Sequence, residues 1–139
     1  MGVTTYLGDK SALARLHIPQ VSAVLLPLMD RGLVFLCAAT RAEMLYSARN
    51  LTDRHRVSAQ LDHALCWART PDDLWERLDE IQVILTEKGQ HRAASIPDLI
   101  VAATADALGL SVLHYDSDFD TIAAHTGQST EWVVPAGAV

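Results

Sequence analysis

The sequence has little cysteine and no long apolar run. Cys37 and Cys66 stand alone, without the paired spacing of a zinc site, and we expect both to be reduced thiols. No apolar run reaches the length of a membrane span, and the first nine residues lack the basic start and apolar stretch of a signal peptide. These absences argue against a disulfide scaffold and an integral membrane protein. We therefore expect a cytoplasmic protein without a membrane partner.

Basic residues are absent from the last third of the chain. All eleven Lys and Arg lie at or before Arg92, where eleven acidic residues balance them, so residues 93–139 carry the whole net charge of −6. A polyanion would have to be bound by the first 92 residues, whereas the acidic segment is suited to cations. The alternative is an acidic solvated surface with no role in binding.

Two common kinds of site are also missing. The sequence has no GxxxxGK[ST] or GxGxxG motif, which argues against the usual nucleotide-binding folds. Its six histidines show no metal-ligand spacing, and we expect His114 to be a hydrogen-bonded core residue. The chain has 139 residues, of which half are hydrophobic and 20% are charged. This composition predicts one globular domain that spans residues 1–139.

Short apolar runs alternate with amphipathic segments along the chain. The runs predict strands at Val3–Leu7, Leu33–Cys37, Ser111–Tyr115 and Glu131–Pro135, the last at an edge because of its proline. The segments predict helices at Ser11–Leu16, Val21–Asp30, Thr40–Arg49, Thr52–Ala68, Asp72–Lys88, between Pro97 and Gly109, and at Thr121–His125. The two longest helices would form a helical hairpin that turns at Thr70-Pro71. This order indicates an α/β sandwich around a mostly parallel sheet.

Acidic side chains recur next to the predicted strands. Asp9 and Asp116 directly follow strands, Glu43 lies in the helix after the second strand, and Asp98 opens the helix before the third. Ordinary explanations exist, since acids favour helix starts and Thr40 with Glu43 matches a capping box. Carboxylates that meet at one end of a sheet repel each other unless a cation lies among them. Mg²⁺ or Mn²⁺ would suit such oxygen ligands.

Four arginines follow the second strand and could bind a polyanion. Arg41, Arg49, Arg54 and Arg56 are the best candidates for contacts with nucleic-acid phosphates. The alternative is that they form a solvated helix surface.

Taken together, four segments resemble the PIN-domain ribonucleases, specifically the VapC-type toxins of bacterial toxin–antitoxin pairs. The matching segments are YLGDKSAL (Tyr6–Leu13), ATRAEMLYSAR (Ala39–Arg49), IPDLIVAATA (Ile96–Ala105) and LHYDSDFDTIA (Leu113–Ala123). By position, the four acids of the family's Mg²⁺ site correspond to Asp9, Glu43, Asp98 and Asp116. Asp118 corresponds to a less regular acid, and Ser11 to a small hydroxyl residue that supports the site.

The resemblance implies a PIN-like α/β/α sandwich and a Mg²⁺-dependent endoribonuclease, with Mn²⁺ as a substitute ion. Asp9, Asp98 and Asp116 would coordinate the metal, and Glu43 and Asp118 would orient waters or hold a second ion. It also implies an RNA substrate, a cognate VapB-type antitoxin and a homodimer.

Two other classes of function remain as alternatives. A haloacid-dehalogenase-like phosphohydrolase would have Asp-x-Asp after its first strand, but Lys10 and Ser11 follow Asp9, and no lysine follows Lys88. A module that only binds would use an acidic cleft for a basic segment of a partner.

Overall fold

Five short strands form one parallel sheet. A computed structural model describes residues 2–139, so Met1 lies outside the described residues. The strands are β1 (Tyr6–Gly8), β2 (Val34–Cys37), β3 (Cys66–Ala68), β4 (Ser111–His114) and β5 (Thr130–Trp132). Within these residues they lie in the order β3-β2-β1-β4-β5, and every pairing is parallel. The predicted edge position of the last strand is confirmed.

Helices cover both faces of this sheet. They are α1 (Lys10–Leu13), α2 (Pro19–Asp30), α3 (Ala38–Tyr46), α4 (Leu51–Ala64), α5 (Leu74–Glu87), α6 (Ile96–Leu108) and α7 (Asp118–Thr126). Neighbouring strand residues point to opposite faces: Val112 packs with α5, α6 and α7, whereas Leu113 packs with α1, α2 and α4. The predicted α/β sandwich is therefore confirmed. Within residues 2–139, no helix has both the length and the apolar character needed to cross a bilayer.

The predicted helical hairpin is wrong, because a strand separates its two helices. Helix α4 ends at Ala64, and Leu65 is extended at φ −121° and ψ 145°. Cys66–Ala68 then pairs with Phe35–Cys37 of β2 as an edge strand. Strand β3 forms one edge of the sheet and connects α4 on one face to α5 on the other. The two helices therefore pack in separate hydrophobic clusters. A strand of three residues is too short to give a visible alternation of apolar and polar side chains.

The predicted capping box of Thr40 and Glu43 is also wrong. Helix α3 begins directly after β2, with Cys37 at its N-cap and no side-chain cap. Thr40 is buried inside the helix, where its Oγ1 lies 3.5 Å from the Cys37 Sγ. Glu43 is therefore free of any capping role. The chain does form a capping box at α6, where Ser95 and Asp98 bond reciprocally.

Candidate active site

The carboxyl ends of β1 and β4 lie side by side and place two acids next to each other. Asp9 follows β1, and its backbone N–H donates to the Leu113 carbonyl of β4 at 2.9 Å. Asp116 lies two residues beyond β4. Both side chains line one cleft at the carboxyl ends of the parallel strands, where ligands commonly bind. The parallel pairing of β1 and β4 therefore brings these two acids to the same cleft, as the sequence predicted.

Helix α6 adds a third acid through its capping box. The Asp98 backbone N–H donates to the Ser95 Oγ at 3.3 Å, and the Asp98 Oδ2 accepts from the Ser95 N–H at 3.2 Å. These bonds fix the Asp98 carboxylate at the start of the helix, where it is 9% exposed. The second carboxylate oxygen takes no part in the cap. Asp98 therefore combines a capping role with a place in the wall of the cleft.

Asp98, Asp116 and Asp118 form the tightest group. Each contributes one carboxylate oxygen, and these oxygens lie within 4.8 Å of one another. Helix α7 begins at Asp118, whose backbone N–H donates to the Asp116 Oδ1 at 2.9 Å. This bond holds Asp116 and Asp118 in a fixed relation. The sequence predicted Asp9, Asp98 and Asp116 as metal ligands, whereas the geometry brings Asp118 into the closest set.

Asp9 and Glu43 line the same cleft, outside that closest set. The Asp9 Oδ2 accepts from the Ser11 Oγ at 2.6 Å and from the Ser11 N–H at 2.9 Å, which makes Asp9 the N-cap of α1. The Ser11 Oγ in turn accepts from the Tyr115 N–H at 2.8 Å. All five predicted acids and Ser11 thus surround one cavity of about 330 Å³.

The pKa values in the cleft are raised mainly by burial, and the carboxylates also repel one another. Burial raises the pKa of Asp98 to about 6; the Ser95 hydrogen bonds oppose this shift, and the charges of Asp9 and Asp116 add to it. Burial also raises the pKa of Asp118, with a further contribution from Asp116. The pKa of Glu43 is raised by burial and then by the charge of Asp9. Each shift means that the ionised form is disfavoured.

These residues fit a divalent cation. Within residues 2–139, none of the five carboxylates forms an ion pair with a basic side chain. All the donors are hard carboxylate oxygens, which suit Mg²⁺ or Mn²⁺ rather than a soft thiophilic metal. A bound cation would offset the repulsion between the carboxylates and favour their ionised forms.

The four predicted phosphate-binding arginines lie on α3 and α4 or between them. Arg41 donates to Asp62 at 3.0 Å, and both Arg49 and Arg56 pair with Asp53. Arg54 forms no ion pair within the described residues. None of the four lines the acidic cleft.

Two cationic residues in the cleft escaped the sequence analysis as site residues. Lys10 and Arg15 both line the cavity of the acids. Lys10 directly follows Asp9, and Arg15 lies four residues, about one helical turn, after Ser11. These positions close to Asp9 and Ser11 were the available signal, but they indicate nothing until the segment that carries them is known to face the cleft.

Comparison with known proteins decides the family. The model of the PIN domain matches residues 6–125. The chain belongs to the PIN-domain family. Among curated PIN-family proteins, it is 49% identical over 134 residues to Ribonuclease VapC21 of Mycobacterium tuberculosis (strain ATCC 25618 / H37Rv), covering 96% of this chain and 97% of that protein. It is 42% identical over 134 residues to Ribonuclease VapC51 of the same strain, covering 96% of each. The VapC-type resemblance seen in the four sequence segments is therefore confirmed.

A solved structure supports the same fold. The crystal structure of VapBC2 from Rickettsia felis, bound to a DNA fragment from its promoter, contains a chain with a TM-score of 0.77 to this protein. The two share 15% identity, with 93% of this chain and 98% of that chain covered. At this identity the likeness shows the fold alone.

Proposed function

We propose that this PIN-domain protein is a Mg²⁺-dependent endoribonuclease and the toxin of a type II toxin–antitoxin pair. One observation carries the proposal: Asp98, Asp116 and Asp118 place carboxylate oxygens within 4.8 Å of one another, in a cleft that also holds Asp9 and Glu43. Relatives that match nearly the whole chain are named ribonucleases. Mn²⁺ would substitute for Mg²⁺ because it accepts the same oxygen ligands.

The metal would be held by Asp98, Asp116 and Asp118, with Asp9 as a direct or water-mediated ligand. When bound, Mg²⁺ supplies positive charge at the scissile phosphate and lowers the pKa of a coordinated water. Ser11 holds Asp9 in place through the two hydrogen bonds that Asp9 accepts. The Ser95 cap does the same for Asp98.

Glu43 is the candidate general base. Its side chain lines the cleft of the metal-binding acids, and burial followed by the charge of Asp9 raises the pKa of its carboxyl, which makes the carboxylate a stronger proton acceptor. Glu43 would accept the proton that the attacking water loses, while the water oxygen bonds to phosphorus, one phosphorus–oxygen ester bond breaks and the leaving ribose oxygen takes up a proton from solvent. Hydrolysis of the phosphodiester by direct attack of water needs no covalent intermediate on the protein.

Cleavage of RNA by the purified protein tests the proposal. We expect cleavage to stop in excess EDTA and to return when Mg²⁺ or Mn²⁺ is added, and we expect Asp116→Asn to be inactive. Asp72→Asn is the matched control, since Asp72 is exposed and does not line the cleft. Undiminished cleavage in excess EDTA contradicts the metal role. The absence of cleavage under all metal conditions favours the alternative of a module that only binds a basic segment of a partner.

A VapB-type antitoxin is the proposed partner, and it would inhibit by covering the cleft. The five cleft carboxylates, none of which forms an ion pair within residues 2–139, favour an inserted Arg or Lys of the partner, which would form charge-assisted hydrogen bonds. Asp98→Ala should then weaken the affinity of the cognate antitoxin. Equal affinity for both proteins would contradict an inserted cation. A homodimer is proposed from the family resemblance, and light scattering on the purified protein measures it.

A further inference from the structure

The guanidinium of Arg15 is a positive group held in the wall of the acidic cleft. Its Nη1 donates to the Ser11 carbonyl at 2.7 Å, and its Cζ lies 4.6 Å from the centroid of the Tyr115 ring. An arginine over an aromatic face gains cation–π attraction and loses side-chain freedom. Arg15 is therefore held in one orientation beside the carboxylates before any ligand arrives.

The aromatic ring beneath Arg15 is itself fixed on several sides. The Tyr115 N–H donates to the Ser11 Oγ, and the Tyr115 hydroxyl donates to the Val139 carbonyl at 3.0 Å and accepts from the Gly137 N–H at 3.0 Å. Its ring meets Trp132 edge-on at 5.3 Å between centroids. The C-terminal segment and the end of β4 thus set the position of the ring, and through it the position of Arg15.

Arg15 keeps most of its hydrogen-bonding capacity. A guanidinium has five N–H donors, and the bond to the Ser11 carbonyl is the one hydrogen bond that the Arg15 side chain forms within residues 2–139. It pairs with no carboxylate within 4.0 Å among these residues, although it shares a cleft with five of them. In contrast, Arg41, Arg49 and Arg56 are already paired with acids.

We propose that Arg15, oriented by Tyr115, binds a non-bridging phosphate oxygen of the RNA backbone inside the cleft. The inference rests on the proposed nuclease function and names a residue that contacts its substrate. A planar guanidinium matches the geometry of a phosphate and can donate two bonds to it. A polyanion that approaches five carboxylates needs such a positive group in addition to a metal ion. Arg15 is the guanidinium that lines this cavity.

Binding of RNA as a function of salt tests this role. The probe is a short, fluorescently labelled single-stranded RNA of mixed sequence, titrated in Mg²⁺ with protein that carries Asp98→Asn to prevent cleavage. Adding Arg15→Gln should weaken binding about tenfold, as for loss of one charged hydrogen bond. The slope of log affinity against log salt should decrease by about 0.7, as for loss of one phosphate contact with a single strand. Arg31→Gln is the control, because Arg31 is exposed, pairs with no acid within residues 2–139 and does not line the cleft.

Three further measurements separate phosphate binding from a structural role. Arg15→Met keeps an unbranched stem against Tyr115 and should reproduce the loss, including when Arg15→Gln folds poorly. Tyr115→Leu keeps the charge but removes the ring, so it should weaken binding with an unchanged salt slope. If Arg15 only offsets the carboxylate charges, Arg15→Gln will bind Mg²⁺ more tightly and RNA equally well, which overturns the inference.

The outcome for the wild-type protein distinguishes this inference from the proposed function. Wild-type protein that cleaves RNA, together with an Arg15→Gln variant of unchanged affinity and salt slope, overturns the role of Arg15 alone. Wild-type protein that neither binds nor cleaves RNA overturns the proposed function and this inference with it.

Discussion

The imidazole Nδ1 of His114 accepts a hydrogen bond from the backbone N–H of Asp116 at 3.1 Å. The ring is fully buried, with Phe119 and Trp132 each 5.0 Å away between ring centroids. Burial lowers the pKa of His114 and so favours the neutral ring. Because Nδ1 accepts the hydrogen bond from Asp116, the ring proton lies on Nε2. The expectation of a hydrogen-bonded core histidine is confirmed. The bond also ties a candidate metal ligand to the core.

His114 should therefore support Asp116 through this one acceptor. His114→Leu removes the acceptor and should weaken the apparent Mg²⁺ affinity in cleavage by about tenfold, as is usual when a group that orients a ligand is lost. His114→Asn keeps an acceptor near the position of Nδ1 and should recover most of that affinity. The measurement is the cleavage rate at increasing Mg²⁺ concentrations. A Leu variant with the Mg²⁺ dependence of the wild type would show that the bond is only structural.

The Ser11 hydroxyl connects the two acid-bearing strands. It donates to Asp9 and accepts from the Tyr115 N–H, so Ser11→Ala breaks both bonds and leaves that N–H without its acceptor. We expect a loss of about 1–2 kcal/mol in the free energy of unfolding and weaker Mg²⁺ binding. Ser11→Thr retains the hydroxyl and should behave more like the wild type. Chemical denaturation of the three metal-free proteins measures the difference, and equal midpoints would contradict it.

We expect the arginines on and between α3 and α4 to give a second contact with RNA, outside the cleft. Replacing Arg49, Arg54 and Arg56 together with Gln should weaken RNA binding across sequences and flatten its salt dependence. Asp53 pairs with two of them at 3.7 Å and 2.6 Å, and such exposed pairs contribute little stability. Asp53→Asn should therefore release both arginines and tighten RNA binding. An unchanged salt slope in the triple variant would place the contact elsewhere.

The parts of the fold that the sequence predicts are those with a local cause. Leu33–Cys37 and Ser111–Tyr115 are apolar runs, and the acids that follow strands meet because parallel strands end at one edge. Glu43 shows the limit of local reasoning. Thr40 and Glu43 match a capping box, but α3 continues directly from β2 and places the motif inside the helix.

Contacts distant in sequence account for what the sequence could not predict. Strand β3 exists because Cys66–Ala68 finds the open edge of β2, and a segment of three residues has no period of its own. Arg15 gains its position from Tyr115, a residue one hundred positions later. The residues next to β3 and to Arg15 in the sequence give no indication of these distant partners. Asp118 joined the closest group of acids only because α7 starts there and bonds back to Asp116.

The stability of the metal-free protein should fall as pH rises through the acidic range. Asp98 has a pKa of about 6 in the folded protein and about 3.9 when unfolded. The unfolded state therefore releases this proton first, so its ionisation destabilises the fold between about pH 4 and pH 6 and adds no further penalty above that range. The raised pKa values of Asp118 and Glu43 act in the same direction. Thermal melts across this range, in EDTA, measure the trend, and rising stability would contradict it.

Asp98→Asn should abolish cleavage and raise the stability of the metal-free protein. The variant removes the charge at nearly constant volume, and its amide oxygen can still accept from the Ser95 N–H. At neutral pH without metal, we expect it to gain about 1 kcal/mol, less than the full pKa shift implies because water reaches the cleft. Mg²⁺ should stabilise the wild type more than the variant, because a ligand that binds only the folded state adds stability according to its affinity. Paired melts with and without Mg²⁺, beside a cleavage assay, measure all three effects. If Asp98 served only to cap α6, its replacement would cost stability and leave cleavage intact, so a destabilised but active variant would remove Asp98 from the site.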